Sequence, residues 1–426
     1  MRITCAPDGF NFQSVASDLN VCLYHRTKNP LMGSVGALVK HDVYRKRIVP
    51  SAKAWDFLSI ALSVVTADLA GHRRKSSDGW TRELNLTISV IDAQFWTQQK
   101  HQLEYLLQFL TTDLWSLNFV DGGLHPEPHK KPLYPTEDSV ALLSGGLDSF
   151  IGVLDLVTKG DAPFVVSQTV RGDGKKQEDF ARTLGSLSQF KTNHTARVPA
   201  PETPASQRSR SIIFLAYGVL IATSLKRYHD GYPVNLYVCE NGYISINPPV
   251  TAARVGSLST RTTHPVVFGT LQNILRNAGL NVTIVNPYQL ITKGEMLKNC
   301  LSQPLLERFA HQTTSCGRYA VFKNTHCGRC VPCLVRRASF FHWKGAGFDQ
   351  TPYVFDDLSK KDDQHSGFDD VRSMIMATIS RRQMGTEKWI GAALSSGLIQ
   401  NKQDYIDTVE RGLVEIDAFL ADLGLT

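Results

Sequence analysis

The sequence contains no hydrophobic run long enough to cross a membrane. A membrane-spanning helix needs about 20 consecutive apolar residues. The best candidate, residues 57–70, is interrupted by Ser59, Ser63, Thr66 and Asp68. The first ten residues also lack the apolar core of a secretory signal peptide. We therefore expect a cytoplasmic protein that has no membrane partner.

The chain also lacks a strong excess of charge of one sign. Its net charge is only +7 over 426 residues, which suits nucleotides or acidic partners and does not require nucleic acid. Hydrophobic residues make up 42% of the chain and charged residues 20%, as in soluble globular proteins. The length is sufficient for two or three domains.

A further absence concerns phosphate binding, because the GxxxxGK[ST] motif does not occur. The chain has instead a glycine-rich turn, Ser144-Gly145-Gly146-Leu147-Asp148-Ser149, between a predicted strand at residues 140–143 and a predicted helix. Its glycines allow the backbone to approach a ligand, and the free N–H groups of a helix start favour an anion. The serine hydroxyls suit phosphate oxygens. An ordinary glycine-rich turn is the alternative.

From residue 139 onward, predicted strands and helices alternate. Strands are predicted at residues 164–168, 195–198, 234–239 and 282–285, and helices at 176–187 and 212–226. This alternation predicts an α/β fold with a doubly wound parallel sheet, whose ligands bind at the carboxyl ends of the strands. The glycine-rich turn follows the first of these strands, where a nucleotide would bind.

Other regions flank this unit, which we expect to span residues 138–300. Residues 1–130 carry an alternating strand pattern between two amphipathic helices and predict an N-terminal α+β accessory domain, a scaffold or a partner-binding module. A cysteine-rich, zinc-binding subdomain is expected at residues 301–345. A helical extension at residues 346–426 should pack on the body of the protein or on a partner.

Four of the eight cysteines lie within 18 residues: Cys316, Cys327, Cys330 and Cys333. In a cytosolic chain, such a cluster indicates a metal site more than a disulfide framework. Four thiolates suit tetrahedral Zn²⁺ at about 2.3 Å, and a site filled by protein ligands is structural. An iron–sulfur cluster is the alternative. His326 is surplus to four cysteines, and we expect it at the surface.

The glycine-rich turn resembles the SGGxDS signature of the PP-loop ATP pyrophosphatases, which split ATP between its α and β phosphates to adenylate a substrate. Together with the cysteines, it resembles QueC, the 7-cyano-7-deazaguanine synthase family. The matching segments are SGGLDS, Thr292-Lys293-Gly294-Glu295, Ser315-Cys316, CGRCVPC and Leu334-Val335-Arg336-Arg337. They cover about residues 138–345. The resemblance implies an adenine nucleotide alpha-hydrolase-like PP-loop domain.

The resemblance also implies ATP and Mg²⁺ as cofactors and assigns roles to single residues. The ATP phosphates would be held by Ser144, Gly145, Gly146, Leu147, Asp148 and Ser149. Arg210 and Ser211 occupy the place of an Arg-Asn pair near the nucleotide. Lys293 matches the family's lysine near the phosphates, where a fixed cation would stabilise the charge developing on pyrophosphate.

The chain departs from QueC in the substrate pocket. The family's Gly-Tyr-Pro-Asp-Cys-Arg stretch is replaced by residues 240–249 and 259–265. Arg261 could bind a carboxylate or phosphate, and His264 could be a base for an incoming amine or could cap a helix. Glu240 could accept hydrogen bonds from a purine edge or form a salt bridge.

The flanking regions resemble those of the QueC-like proteins of bacterial anti-phage operons, the QatC component of Qat systems and its counterpart in type IV CBASS. This implies an ATP-dependent ligase that joins a 7-carboxy-7-deazaguanine-type acid to an amine of a partner protein from the same operon, without nucleic acid. The alternatives are a 7-cyano-7-deazaguanine (preQ0) synthase that uses ammonia, an RNA-thiolating enzyme with Cys239 as its candidate cysteine, and a module that senses ATP without turnover.

Overall fold

The first part of the chain folds around a five-stranded sheet. The computed structural model describes residues 1–169, 174–203, 206, 208–250, 261–360 and 370–425. In chain order, the first strands are β1 (Arg2–Pro7), β2 (Leu19–Leu23), β3 (Gly33–Val35), β4 (Glu83–Ser89) and β5 (Leu114–Val120). Their spatial order is β3-β2-β1-β4-β5, and every neighbouring pair is parallel.

A second five-stranded sheet follows. Its strands are β6 (Ser139–Leu142), β7 (Phe164–Gln168), β8 (Gln189–Thr192), β9 (Val234–Tyr237) and β10 (Val282–Val285). The order is β10-β9-β6-β7-β8, again entirely parallel. Val140 lies opposite Phe164 on one side and Leu236 on the other. In both sheets, therefore, the first strand lies between the second and the fourth.

The helices of the described residues connect and cover these sheets. As far as the second sheet's fourth strand they are α1 (Ala37–Lys46), α2 (Ala52–Ala70), α3 (Ala93–Gln98), α4 (Lys100–Thr111), α5 (Leu147–Thr158), α6 (Gly174–Thr183), α7 (Arg210–Ala222) and α8 (Lys226–His229). They continue as α9 (Gly242–Ile246), α10 (Pro265–Asn277), α11 (Lys293–Asn299), α12 (Gln303–Phe309), α13 (Val331–Lys344), α14 (Asp370–Met384), α15 (Thr386–Ile390) and α16 (Lys402–Asp422). Short 3-10 helices occur at Phe12–Ser14, Arg73–Lys75 and Ala310–Gln312.

Helices α2 and α7 lie between the two sheets: α2 packs on the first sheet, α7 packs on the second, and the two helices contact each other. They run antiparallel, since the N–H of Ser51 donates to Oγ1 of Thr223 (3.3 Å) and the N–H of Ser209 donates to Oδ2 of Asp68 (3.2 Å). One hydrophobic cluster contains residues of both sheets and both helices. The two sheets therefore share a core. No helix in the described part of the chain combines the length and apolarity that a membrane span requires.

The α/β class and the parallel second sheet agree with the sequence prediction, and two details are corrected. The strands predicted at residues 164–168 and 282–285 have the observed bounds. The third strand of this sheet lies at residues 189–192 and not at 195–198, where Thr195 has a φ of 49°. The N-terminal region is α/β and not α+β, because all its strands are parallel.

The C-terminal helices pack on the part of the protein that carries the second sheet. Helix α16 contacts α9, α11 and α13, and a separate hydrophobic cluster with Tyr243, Leu334 and Leu413 joins these elements. The amphipathic pattern of the C-terminal region is thus explained within this chain.

Candidate active site and metal centre

The glycine-rich turn joins β6 to α5 at the carboxyl end of the second sheet. Gly145 has a φ of 88°, a conformation that glycine adopts readily and other residues rarely do. The hydroxyls of Ser144 and Ser149 lie 3.0 Å apart, and the N–H of Gly146 donates to Oγ of Ser144 (3.2 Å). No side chain caps the start of α5 at Gly146. Its first N–H groups can therefore bind an anion.

The carboxylate of Asp148 connects the turn to two other segments. Its Oδ2 accepts hydrogen bonds from the backbone N–H (3.1 Å) and Nδ2 (2.7 Å) of Asn241, and its Oδ1 accepts one from Nζ of Lys293. Asp148 and Lys293 are each only 7% exposed. The structure therefore brings together the two residues expected to act on phosphates, although 145 positions separate them. Asn241 was not assigned a role from the sequence.

Glu240 and Asn241 follow β9, the strand beside β6. The Asn241 side chain also caps α9, because its Oδ1 accepts from the N–H of Ile244 (3.0 Å). The Glu240 carboxylate accepts a hydrogen bond from the hydroxyl of Thr263. The adjacent ends of β6 and β9 thus place Glu240 next to Asn241, which contacts Asp148. This is the point where the strand order reverses, and α/β proteins bind ligands there.

A second lysine lies beside the turn, and sequence reasoning missed it. Nζ of Lys176, in the first turn of α6, donates to Oγ1 of Thr314, whose own N–H donates to the carbonyl of Gly145 (2.9 Å). The neighbouring Gln177 donates from Nε2 to the carbonyl of Ser144 (3.0 Å). Two ammonium groups, of Lys176 and Lys293, therefore flank the turn. The only sequence signal was a pair of lysines at the start of a predicted helix.

His264 is a helix cap. Its Nδ1 accepts from the N–H of Val266 (3.3 Å), and its Nε2 donates to the carbonyl of Ala393 (3.2 Å). Burial lowers the pKa of His264 to about 4, so the ring is neutral at physiological pH. With both nitrogens occupied, the geometry favours the capping alternative, and we assign no base function to this residue.

Arg261 contacts the N-terminal part of the chain. Its Nη1 donates to the carbonyl of Phe109 (3.3 Å), and its guanidinium lies 5.0 Å from the centre of the Phe109 ring. Burial lowers the pKa of Arg261. Helix α4 of the first sheet therefore borders this side of the site. Ser259 and Thr260, which belong to the same predicted stretch, lie outside the described residues.

Arg210 and Ser211 form the first turn of α7. The hydroxyl of Ser211 donates to the carbonyl of Arg208 (3.5 Å). Burial, with a contribution from the charge of Arg210, lowers the pKa of His194 to about 4. The contact of Arg210 and Ser211 with the nucleotide stays a prediction.

The four clustered cysteines form a group whose size fits a metal ion. Their Sγ atoms all lie within 4.8 Å of one another, and the pairs Cys316–Cys330 and Cys327–Cys333 are each 3.9 Å apart. A tetrahedron with Zn–S bonds of about 2.3 Å has edges of roughly 3.8 Å. All four residues are buried. This four-cysteine group could hold a metal ion such as zinc.

Backbone N–H groups around the cluster stabilise thiolates. The N–H groups of Arg318 and Cys327 each donate to Sγ of Cys316 (3.3 Å), and the N–H of Cys330 donates to Sγ of Cys327 (3.3 Å). Hydrogen bonds from the neighbouring thiols and from this N–H hold the pKa of Cys327 well below its usual value. Thiolates are the form that ligates a metal.

The prediction of a surface position for His326 is wrong. The residue is 4% exposed, and burial lowers its pKa to about 3. Its Nε2 accepts from the N–H of Ser315 (3.1 Å), and its ring packs against Tyr319 and Tyr353. His326 therefore fixes the backbone of Ser315, the residue that precedes Cys316.

Arg336 anchors the same region to the body of the protein. It is fully buried and donates from Nη1 to the hydroxyls of Thr313 (2.9 Å) and Ser315 (3.2 Å), and from Nη2 to the carbonyl of Ala310 (2.8 Å). Thr313 and Ser315 flank Thr314, which holds the glycine-rich turn. Arg336 therefore connects the residues next to the four-cysteine group with the glycine-rich turn.

The chain matches no protein-family model and no curated protein.

Proposed function

We propose that this protein is an ATP-dependent ligase with a PP-loop fold, which cleaves ATP to AMP and pyrophosphate in order to activate a 7-carboxy-7-deazaguanine-type acid. The observation that carries the proposal is the buried contact of Asp148 with Lys293 and Asn241 at an uncapped helix start. A second lysine, Lys176, borders the same turn. Anionic phosphates fit such a site because helix N–H groups and fixed cations both favour negative charge.

The proposed reaction has two steps. The substrate carboxylate attacks the α-phosphorus, an acyl–phosphate bond forms, and the bond to the β-phosphate oxygen breaks with its electron pair. Ser144, Gly145, Gly146, Leu147 and Ser149 would hold the phosphates, while Lys293 and Lys176 stabilise the charge that develops on pyrophosphate. An amine then attacks the acyl carbon and loses a proton to water as AMP leaves.

The expected metals have different roles in this proposal. Mg²⁺ accompanies ATP and is bound mainly by phosphates with one or two carboxylates, and Asp148 is the only carboxylate of the turn. Zinc at the four-cysteine group would leave no ligand position open, so its contribution is structural. Loss of the zinc ion would destabilise the segment 313–316, and with it Thr314, which contacts the glycine-rich turn.

The acceptor in this proposal is an amine of a partner protein from the same operon, in anti-phage defence. Elements outside the QueC-like segment support it, because Phe109 of α4 touches Arg261 and helix α16 packs on α9 and α11. Free ammonia needs no such surroundings, whereas a protein chain must be docked. Holding an amine at the acyl group can replace several kcal/mol of entropic cost, about 7–11 in the best cases.

The thiolation alternative has no support at Cys239. This thiol is buried against Gly152, so closely that a Cβ on the glycine would lie 2.3 Å from its Sγ. Burial raises the pKa of Cys239 well above its usual value, so the thiol is not ionised at neutral pH. A nucleophilic cysteine requires the opposite shift.

The test is intact-mass spectrometry after incubation of the protein with ATP, 7-carboxy-7-deazaguanine and its operon partners. We expect a partner whose mass increases by one deazaguanine acyl group, and no such product with the Asp148→Asn variant. Formation of free preQ0 from ammonia, with every partner unmodified, would favour the nitrile-forming alternative.

A further inference from the structure

The C-terminal helix α16 packs closely on the segment that supplies Asn241. A Cβ on Gly412 of α16 would lie 2.4 Å from Cδ2 of Tyr243, and a Cβ on Gly242 would lie 2.8 Å from Cγ2 of Thr408. Two glycines therefore permit this approach. Helix α16 thus packs directly against the residues that follow one partner of Asp148.

The same helix reaches the other partner through Glu415. The carboxylate of Glu415 accepts hydrogen bonds from the hydroxyl of Thr292 and from the N–H of Gly294 (3.2 Å), the two residues that flank Lys293. A Cβ on Gly294 would lie 2.6 Å from Oε1 of Glu415. Glycine at this position lets the carboxylate contact the backbone.

This contact reinforces the start of α11. Thr292 and Glu295 form a capping box, in which the N–H of Glu295 donates to Oγ1 of Thr292 (3.0 Å) and the N–H of Thr292 donates to the Glu295 carboxylate (2.8 Å). Arg411 of α16 donates to that carboxylate as well (2.6 Å). Helix α16 therefore holds the turn that carries Lys293 from two sides.

We propose that Glu415 is a positioning residue for Lys293 and that α16 is part of the phosphate site. Lys293 has its backbone fixed at both neighbours by Glu415, which leaves its ammonium directed at Asp148. This inference rests on the proposed function only for what Lys293 does to ATP; the mechanical role of Glu415 stands on the contacts themselves.

Burial disfavours the charged form of the Glu415 carboxyl group. Glu415 is 6% exposed, and burial raises its pKa to about 7. Glu295 and Lys298 of α11 act on it through their charges, and Nε2 of His342 in α13 lies 3.9 Å from its Oε1. Burial of a carboxyl group costs free energy unless the group is hydrogen-bonded, and Glu415 makes its hydrogen bonds to the residues on either side of Lys293.

The experiment compares Glu415→Gln with Glu410→Gln in the full-length protein. Glu410 lies on the same helix, but its carboxylate accepts from Arg381 and Thr386, away from the phosphate site. The first readout is acetylation of Lys293 by acetic anhydride, measured by peptide mass spectrometry, which needs no activity. We expect E415Q to increase labelling several-fold and E410Q to leave it at the wild-type level.

The second readout is AMP formation from ATP and the deazaguanine acid. We expect kcat of E415Q to fall on the order of tenfold to a hundredfold, as for a catalytic group misplaced by about 1 Å. KM for ATP should change less, because the glycine-rich turn is intact. E410Q should keep the wild-type kcat.

Equal labelling of Lys293 in E415Q and wild type overturns the inference. A wild-type protein that makes no AMP contradicts the proposed function instead, and the labelling comparison still decides the role of Glu415. Should E415Q unfold, Arg411→Gln takes its place, which removes the hydrogen bonds of Arg411 to the Glu295 carboxylate and to the carbonyl of Leu290 and leaves Glu415 unchanged. A smaller increase in labelling of Lys293 supports the inference, and labelling at the wild-type level contradicts it.

Discussion

The two sheets of this protein have the same strand order but different loops after the strands. In each, the first strand lies between the second and the fourth, all in parallel. In the second sheet, the chain after β6 and after β9 leads to Asp148, Asn241 and an uncapped helix start. In the first sheet, the backbone N–H groups that follow β4 donate hydrogen bonds to a side chain of the protein itself.

Asp56 of α2 closes that end of the first sheet. Its carboxylate accepts from the N–H groups of Ile91 (2.7 Å) and Asp92 (3.2 Å) and from Nε1 of Trp96 (2.9 Å). Gly123 packs so closely on Val90 that a Cβ there would lie 2.3 Å from the Val90 carbonyl carbon. Strand order therefore does not make a binding site; the chemistry of the loops does.

The largest expected effect comes from disrupting the four-cysteine group, which follows the second sheet in the chain. Structural zinc contributes about 10–16 kcal/mol of binding energy that becomes folding energy, so Cys330→Ser should give insoluble or heat-labile protein. Metal analysis of wild type should return one zinc ion per chain. The control is Cys22→Ser, because Cys22 is a buried cysteine of the first sheet outside the four-cysteine group. This variant should lower the melting temperature much less. A brown protein that contains iron and sulfide would contradict the zinc assignment.

A smaller effect is expected at the closed end of the first sheet. Asp56→Ala leaves two backbone N–H groups and the Trp96 indole without their acceptor, which should cost about 3 kcal/mol of unfolding free energy. Denaturant titration measures this loss. ATP cleavage per folded molecule should be unchanged, and its disappearance would show that the first sheet contributes to the chemistry.

The smallest expected effect is a pH dependence confined to the second half. The pKa of Glu415 rises from its ordinary 4.5 to about 7 in the folded protein, so the folded state binds this proton more tightly than the unfolded state. Its contribution to stability is complete below about pH 4.5 and is lost as the pH rises to 7, by at most roughly 3 kcal/mol. Wild type should therefore lose stability relative to Glu415→Gln over this range. A difference in unfolding free energy that does not vary with pH would contradict the assignment, and Glu410→Gln should show no such trend relative to wild type.

Features encoded in short segments were predictable from the sequence. The glycine-rich turn, the strands at residues 164–168 and 282–285, and the four cysteines each depend on adjacent residue types. Strand β8 was missed because Gln189 and Lys191 are polar and only Phe190 and Thr192 are buried. A pattern of four residues with one large apolar side chain gives too weak a signal.

Residues whose roles depend on distant partners were not predictable. Lys176 and Asn241 are polar residues near helix starts, and only the folded chain places them at Gly145 and Asp148 through Thr314 and the end of β9. His326 was expected at the surface, yet aromatic neighbours from separate segments bury it. Sequence spacing carries no information on such contacts.

The cleavage of ATP at the second sheet is tested most directly by following its phosphates. The protein is incubated with ATP labelled at the α-phosphate and with 7-carboxy-7-deazaguanine, and the products are separated by chromatography. Wild type should yield labelled AMP and unlabelled pyrophosphate. The Asp148→Asn variant should give neither product. It should remain folded, because the amide oxygen can still accept hydrogen bonds from Asn241. Release of ADP and inorganic phosphate would contradict cleavage between the α and β phosphates.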